Sequence, residues 1–169
     1  MKNINKFAIV LLCLSIPPIV NAQTNHMNDE AAIRARMDSF ATAFATGDID
    51  AIMKNYVPDS SFVLFDIVPR KEYQGANAYR KAWTEMFTHF KSQPTIEVTE
   101  LHVTVDGNVA FGHSFQHLRG TDTHGRPVDR WVRVTDGYRK INGTWLIAHE
   151  HISTPVDFST GKLVPLTKP

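Results

Sequence analysis

Apolar residues in the first half of the chain recur at helical spacing. Ile33, Met37, Phe40 and Phe44 fall three or four positions apart, which places them on one face of an amphipathic helix. Asn28, Asp29 and Glu30 give that helix a polar, acidic start and Gly47 gives it a stop. Asp48 is placed to cap a second, shorter helix that carries Ile52, Met53 and Tyr56 on one side and ends at Pro58. Ser61 to Val68 is apolar and aromatic and reads as a strand stopped by Pro69. Beyond Gly75, Tyr79, Trp83, Met86, Phe87 and Phe90 mark a third helix, which Pro94 closes.

From Thr95 onward the period changes from helical to extended. Thr95 to Val105, Asn108 to Thr121, Pro127 to Ile141 and Thr144 to Ser153 are long runs rich in Val, Ile, Thr and aromatics. Asp106-Gly107 and Asn142-Gly143 are two-residue turn signals, because both central positions of such a turn need positive φ. The connection around Asp122 to Arg126 is longer and polar. Helices first and an antiparallel meander second predict an α+β fold with the helices on one face of a curved sheet.

Composition narrows the picture. The chain has 169 residues, 43% of them hydrophobic and 21% charged, enough for one compact core and too apolar for a disordered tail protein. The formal net charge is +1, which leaves no basic footprint for a nucleic-acid partner. Lys2 and Lys6 precede an apolar stretch, Phe7 to Val20, that Pro17 and Pro18 interrupt. Val20-Asn21-Ala22 then forms a small-residue cleavage signature. Residues 1–22 are therefore expected to be a cleaved signal peptide and the protein to be exported, periplasmic or secreted, with no membrane anchor. The only cysteine, Cys13, falls inside that leader, so thiol chemistry is not expected of the mature chain. Residues 23–28 are expected to form a short disordered lead, 29–155 the domain and 156–169 a tail.

The order of these elements, with Thr46-Gly47-Asp48-Ile49-Asp50-Ala51-Ile52 between the first two helices and Trp145-Leu146-Ile147-Ala148-His149-Glu150-His151-Ile152-Ser153-Thr154-Pro155 at the end, resembles the nuclear transport factor 2-like superfamily. Within it the ending is similar to the SnoaL-like and ketosteroid isomerase-like branch. The resemblance covers nearly all of the expected mature chain. It implies a cone: a strongly curved, mostly antiparallel cystatin-like sheet wrapped around three N-terminal helices, with a pocket between them. It also implies that the strand set containing Asp136 faces inward. Asp66 then corresponds to the general-base aspartate of the isomerases and Asp136 to their protonated oxyanion-hole aspartate, with Glu150 a third inward carboxyl. A buried carboxyl stays neutral and can donate a proton while a better-solvated one stays ionised and accepts one. Phe40 stands where the isomerases place a tyrosine hydroxyl, so steroid isomerase activity itself is not expected.

Each of these residues also has a plain structural reading. Asp66 is a base or the cap of a turn after the strand. Asp136 belongs to the site or to a salt bridge with Arg80, Arg133 or Arg139. Glu150 lines the pocket or forms an internal ion pair. Trp83, Tyr73, Gln116 and Phe40 are ligand-binding walls or ordinary core and edge residues. On strand alternation, Trp145, Ile147, His149 and His151 share the face opposite Glu150. With Phe115 and Trp131 that outer face predicts a homodimer packed sheet to sheet, rather than a metal site. The functional expectation is an exported pocket protein for a small apolar, carbonyl-containing molecule. It is either an isomerase, cyclase or hydratase needing no cofactor and no metal, or a non-catalytic binding module.

Overall fold

A computed structural model describes residues 20–68 and 70–169. The expected signal peptide, apart from its last three residues, lies outside them. Helix α1 (Val20–Thr46) begins before the expected Asp29 and continues through positions 23–28. No Gly or Pro occurs between Val20 and Thr46, so nothing breaks the hydrogen-bond ladder over that span. Gly47 ends α1 at φ 71°. The Asp48 amide donates to Ala43 O and the Gly47 amide to Phe44 O, each at 3.1 Å, the paired bonds of a Schellman stop. Asp48 then caps α2 (Ile49–Met53) by accepting the Ala51 amide at 2.9 Å.

The expected strand from Ser61 to Val68 shortens to β1 (Val63–Phe65), which pairs with the two-residue β2 (Tyr73–Gln74). Helix α3 (Ala76–Phe87) stops before Phe90, because Thr88, His89 and Phe90 donate to carbonyls three residues back and Phe90 bridges to Asp122. Four long strands follow: β3 (Thr95–Asp106), β4 (Val109–Thr121), β5 (Pro127–Ile141) and β6 (Thr144–Ser153). A small hairpin, β7 (Val156–Asp157) and β8 (Lys162–Leu163), lies in the tail. The six-stranded sheet has the order β2-β1-β6-β5-β4-β3. Only the β1–β6 pair is parallel. This is the α+β cone: α1 packs over β3 and β6, α2 bridges α1 and α3, and one core runs from Ile33, Phe40 and Phe44 to Leu64, Tyr138 and Ile147.

Two bulges bend this sheet. Thr99 pairs with Phe115 and His102 with His113, which leaves one extra residue in β3; Glu100 there takes φ 49°. Gly137 pairs with His149 but Tyr138 pairs with Ile147, so Ala148 is the extra residue in β6. An inserted residue reverses the facing of every side chain beyond it. The expected uniform alternation along β6 is therefore corrected. Glu150 and Ile152 face inward on one side of Ala148, and Trp145 and Ile147 face inward on the other. Trp145, expected on the outer face, is 2% exposed in the core, and its Nε1 donates to Asp29 at 2.9 Å.

Candidate functional site

The inner faces of the sheet and of α1 and α3 enclose a cavity of about 780 Å³. Phe40 and Phe44 enter it from α1, Tyr79 and Trp83 from α3, Gln116 from β4 and Glu150 from β6; Asp66 and Tyr73 line the mouth. Six of the residues singled out in the sequence thus meet there: Asp66, Tyr73, Trp83, Gln116, Phe40 and Glu150. Asp136 does not. It is 1% exposed and sits outside the lining, directly across the β5–β6 ladder from Glu150.

Glu150 lies at the closed end. Tyr56 OH donates to its Oε2 at 3.0 Å and Tyr79 OH to its Oε1 at 3.1 Å. Each phenol is placed by a separate element. Tyr56 follows α2, where the Val57 amide donates to Ile147 O and the Ile147 amide to Asn55 O, both at 2.9 Å, so the chain is laid along β6. Asn55 Nδ2 secures that turn on the carbonyls of Ala51 and Ile52. Tyr79 projects from the first turn of α3 and stacks on Phe62 with ring centroids 5.0 Å apart. Behind Glu150, Tyr138 OH donates to Asp136 Oδ2 at 3.0 Å. The ion pairs considered for Asp136 are not formed, since Arg80 pairs with Asp50 and Arg139 reaches Ser61.

These partners are neutral donors in an apolar setting, so burial controls the charge. It raises both Asp136 and Glu150 far above the usual carboxylate range, and the repulsion of Asp136 pushes Glu150 further; the phenol hydrogen bonds offset only part of this. The two acids behave as one coupled unit that retains protons near neutrality. Burial and the nearby carboxylates raise Tyr56 and Tyr79 well above the usual phenol range, so both remain donors.

Asp66 combines the two roles considered for it. Just past β1, its Oδ1 accepts the Ile67 amide at 2.6 Å, as a turn cap does, while its carboxyl lines the cavity mouth. Partial burial raises it and the amides of Ile67 and Val68 oppose the shift. Trp83 packs against Phe40, Phe44 and Tyr79 and leaves Nε1 without a partner at 8% exposure.

The sequence reading missed the phenols. Helix period alone accounts for Tyr79, Tyr56 lies beyond the end of α2 and bridges to Ile147, and nothing local marks either as a partner of an acid some 70 to 95 residues away. On the outer face, His149 and His151 lie against Phe65, and His149 Nδ1 is 2.9 Å from Val63 O. Trp131 stacks on His117, whose Nε2 is 2.6 Å from Asp129.

Comparison with known proteins fixes the lineage. The family model described as a SnoaL-like domain matches residues 33–157. The chain belongs to the SnoaL-like domain family. This SnoaL-like chain is similar to an NTF2-like protein of unknown function from Pseudomonas putida, at 28% identity over 85% of this chain and 98% of that one, with a TM-score of 0.74. It shares its fold with a ketosteroid isomerase-like protein from Erwinia carotovora atroseptica (24% identity, 73% and 93% covered, TM-score 0.61). The same holds for a protein of cystatin-like fold from Nostoc punctiforme (17% identity, 73% and 89% covered, TM-score 0.61). No curated protein matches the chain.

Proposed function

We propose that this SnoaL-like protein binds a small apolar carbonyl compound in the cavity and moves a proton on it, as an isomerase, cyclase or hydratase that needs no cofactor. The observation that carries this reading is the proton-retaining Glu150 at the closed end of an aromatic cavity that has a second, better-solvated carboxyl, Asp66, at its mouth. In the proposed step the Asp66 carboxylate removes a proton from the carbon next to the carbonyl. The C–H electrons form the enol double bond, and the carbonyl π electrons move onto oxygen, which takes the proton of neutral Glu150. Return of the Asp66 proton to a different carbon, with the enol proton going back to Glu150, completes an isomerisation and restores both groups. Asp136, buried across the ladder, disfavours ionisation of Glu150 and acts as a positioning residue, while Tyr56 and Tyr79 fix the Glu150 carboxyl that carries the transferred proton. General acid–base groups of this kind contribute about 100- to 10,000-fold each.

Proton exchange into a panel of aryl and cyclic ketones in D2O, followed by NMR, tests this directly. The wild type is expected to exchange the protons next to the carbonyl, and Asp66→Asn and Glu150→Gln are each expected to lose at least about 100-fold. A second reading has its own observation: Tyr56 and Tyr79 both spend their hydroxyls on Glu150, and Phe40 has none to offer. In a binding module the same ketones bind, detected by mass spectrometry of molecules released from natively purified protein, with no exchange. Export and a homodimer through the outer face (Phe115, His149, His151) belong to the proposal; Trp131, expected on that face, is already 7% exposed in the monomer under its stack with His117. Support for that face comes from Phe65 and Phe111, which lie exposed on it.

A further inference from the structure

We propose that the compound held by this cavity is an anion: an apolar carbonyl compound bearing a carboxylate, whose head group Arg130 holds at the cavity mouth. The proposal rests on the pocket reading above and names its substrate class.

The inner face of β5 carries the argument. Val128, Arg130, Val132, Val134, Asp136 and Tyr138 alternate along one side of the strand, and the first three line the cavity. That face has three charged positions: Asp136, Lys140, which pairs with Asp29 of α1, and Arg130 near the strand's start. Arg130 pairs with Leu118 on β4, another cavity residue, three positions before the Arg133–Ser153 pair that ends the β5–β6 ladder. Arg130 is exposed at the start of the strand and still lines the cavity between the half-buried Val128 and Val132, so its charge meets both solvent and the cavity rim. Among the described residues no carboxylate forms an ion pair with Arg130. Its neighbour Asp129 is engaged by His117 instead.

Among the described residues neither Asp66 nor Glu85 at the mouth forms an ion pair with Arg130, and the Arg70 guanidinium lies over the Tyr73 ring, 5.0 Å from its centroid. Arg130 is thus left with its planar donor set at the rim of a cavity whose wall beside it is Val128, Val132 and Leu118. A guanidinium takes a carboxylate through two parallel hydrogen bonds. A ligand that lays its apolar body against Phe40, Phe44 and Trp83, with its carbonyl toward Glu150, would bring an acidic end to Arg130.

The test uses benzoylpropionate and the longer benzoylvalerate against their carboxamides, which keep the ring and ketone and lack the charge. Affinities are measured by calorimetry on the full mature chain. The acids are expected to bind about tenfold or more tightly than the amides, the effect of one charge-assisted contact at a half-solvated rim. Arg130→Gln should erase that preference by lowering the affinity for the acids to about that for the amides. Arg130→Lys should keep part of it, and Arg133→Gln, on the outer face of the same strand, should keep all of it. Equal binding of acid and amide by the wild type overturns the proposal, as does a preference that survives Arg130→Gln or a failure of both probe types to bind. Proton exchange on the same probes separates this outcome from that of the chemistry. Acids bound with the expected preference but not exchanged would sink the enzymatic reading alone. Equal binding and exchange of acids and amides would sink only the anion.

Discussion

At the scale of the residue, the proposed chemistry depends on where a proton resides. Asp136 and Glu150 are buried together, among the described residues with phenols as their side chains' hydrogen-bonding partners, and burial is the largest cause in raising them to about 7 and about 8. Both folded values lie above the unfolded ones, so between them the folded state binds more protons than the unfolded chain. The stability these acids contribute is fully present below about pH 4 and is lost as pH rises through 7 to 8. The wild type is therefore expected to lose about 2 kcal/mol or more between pH 5.5 and 9, relative to Asp136→Asn/Glu150→Gln measured in parallel by urea titration. A difference that grows with pH, in favour of the double variant, is the expected sign. Asp66 is different: it is half-buried and already capped by backbone amides. Asp66→Asn should remove proton exchange while shifting stability by less than about 1 kcal/mol. A large destabilisation in the same denaturation experiment would make it a structural residue.

At the scale of the element, β6 is where local and global reasoning part. Its limits, Thr144–Ser153, coincide with the run read from the sequence, and its hairpin turn is the Asn142-Gly143 pair. Alternation along it was not legible, because Ala148 looks like any other apolar residue and a bulge is set by the register of the neighbouring strand. One inserted residue lets Trp145 and Ile147 fill the core while Glu150 still reaches the cavity. Removing Ala148 would force one of those two sets outward, and we expect a loss of more than about 3 kcal/mol in equilibrium denaturation. A milder change tests the other end of the strand. Asp29 accepts from Lys140 Nζ at 2.5 Å and from Trp145 Nε1, contacts that hold its carboxyl below the usual range and tie α1 to β5 and β6. Asp29→Ala strands both donors and should cost about 1–3 kcal/mol.

At the scale of the whole molecule, the cone leaves its outer sheet face exposed, with Phe111 52% accessible. The proposed homodimer puts this face in contact with its copy. Sedimentation velocity should then give a dimer for the wild type and a monomer for Phe111→Glu, with thermal unfolding of the variant monomer still cooperative. A wild-type monomer at micromolar concentration would remove this part of the reading. Among the described residues no helix is long and apolar enough to cross a membrane.

What the sequence determined by itself is what short-range physics controls: the order of helices and strands, the Schellman stop at Gly47, the Asp48 cap and the Asn142-Gly143 turn, since each depends on residues within a few positions of one another; the first hairpin turn is Gly107-Asn108, one residue past the expected Asp106-Gly107. Helix period put Phe40 and Trp83 on inward faces, and the family resemblance aimed the strand acids inward; six of the residues so named line one cavity. Tertiary structure alone decided that Asp136, although paired directly across from Glu150, stays out of the cavity lining, that Tyr56 and Tyr79 hold that carboxyl, and that Trp145 is core. Those outcomes rest on the pairing of distant segments. A single bulged residue changes which side chains meet there, and the solvation they share sets their charge.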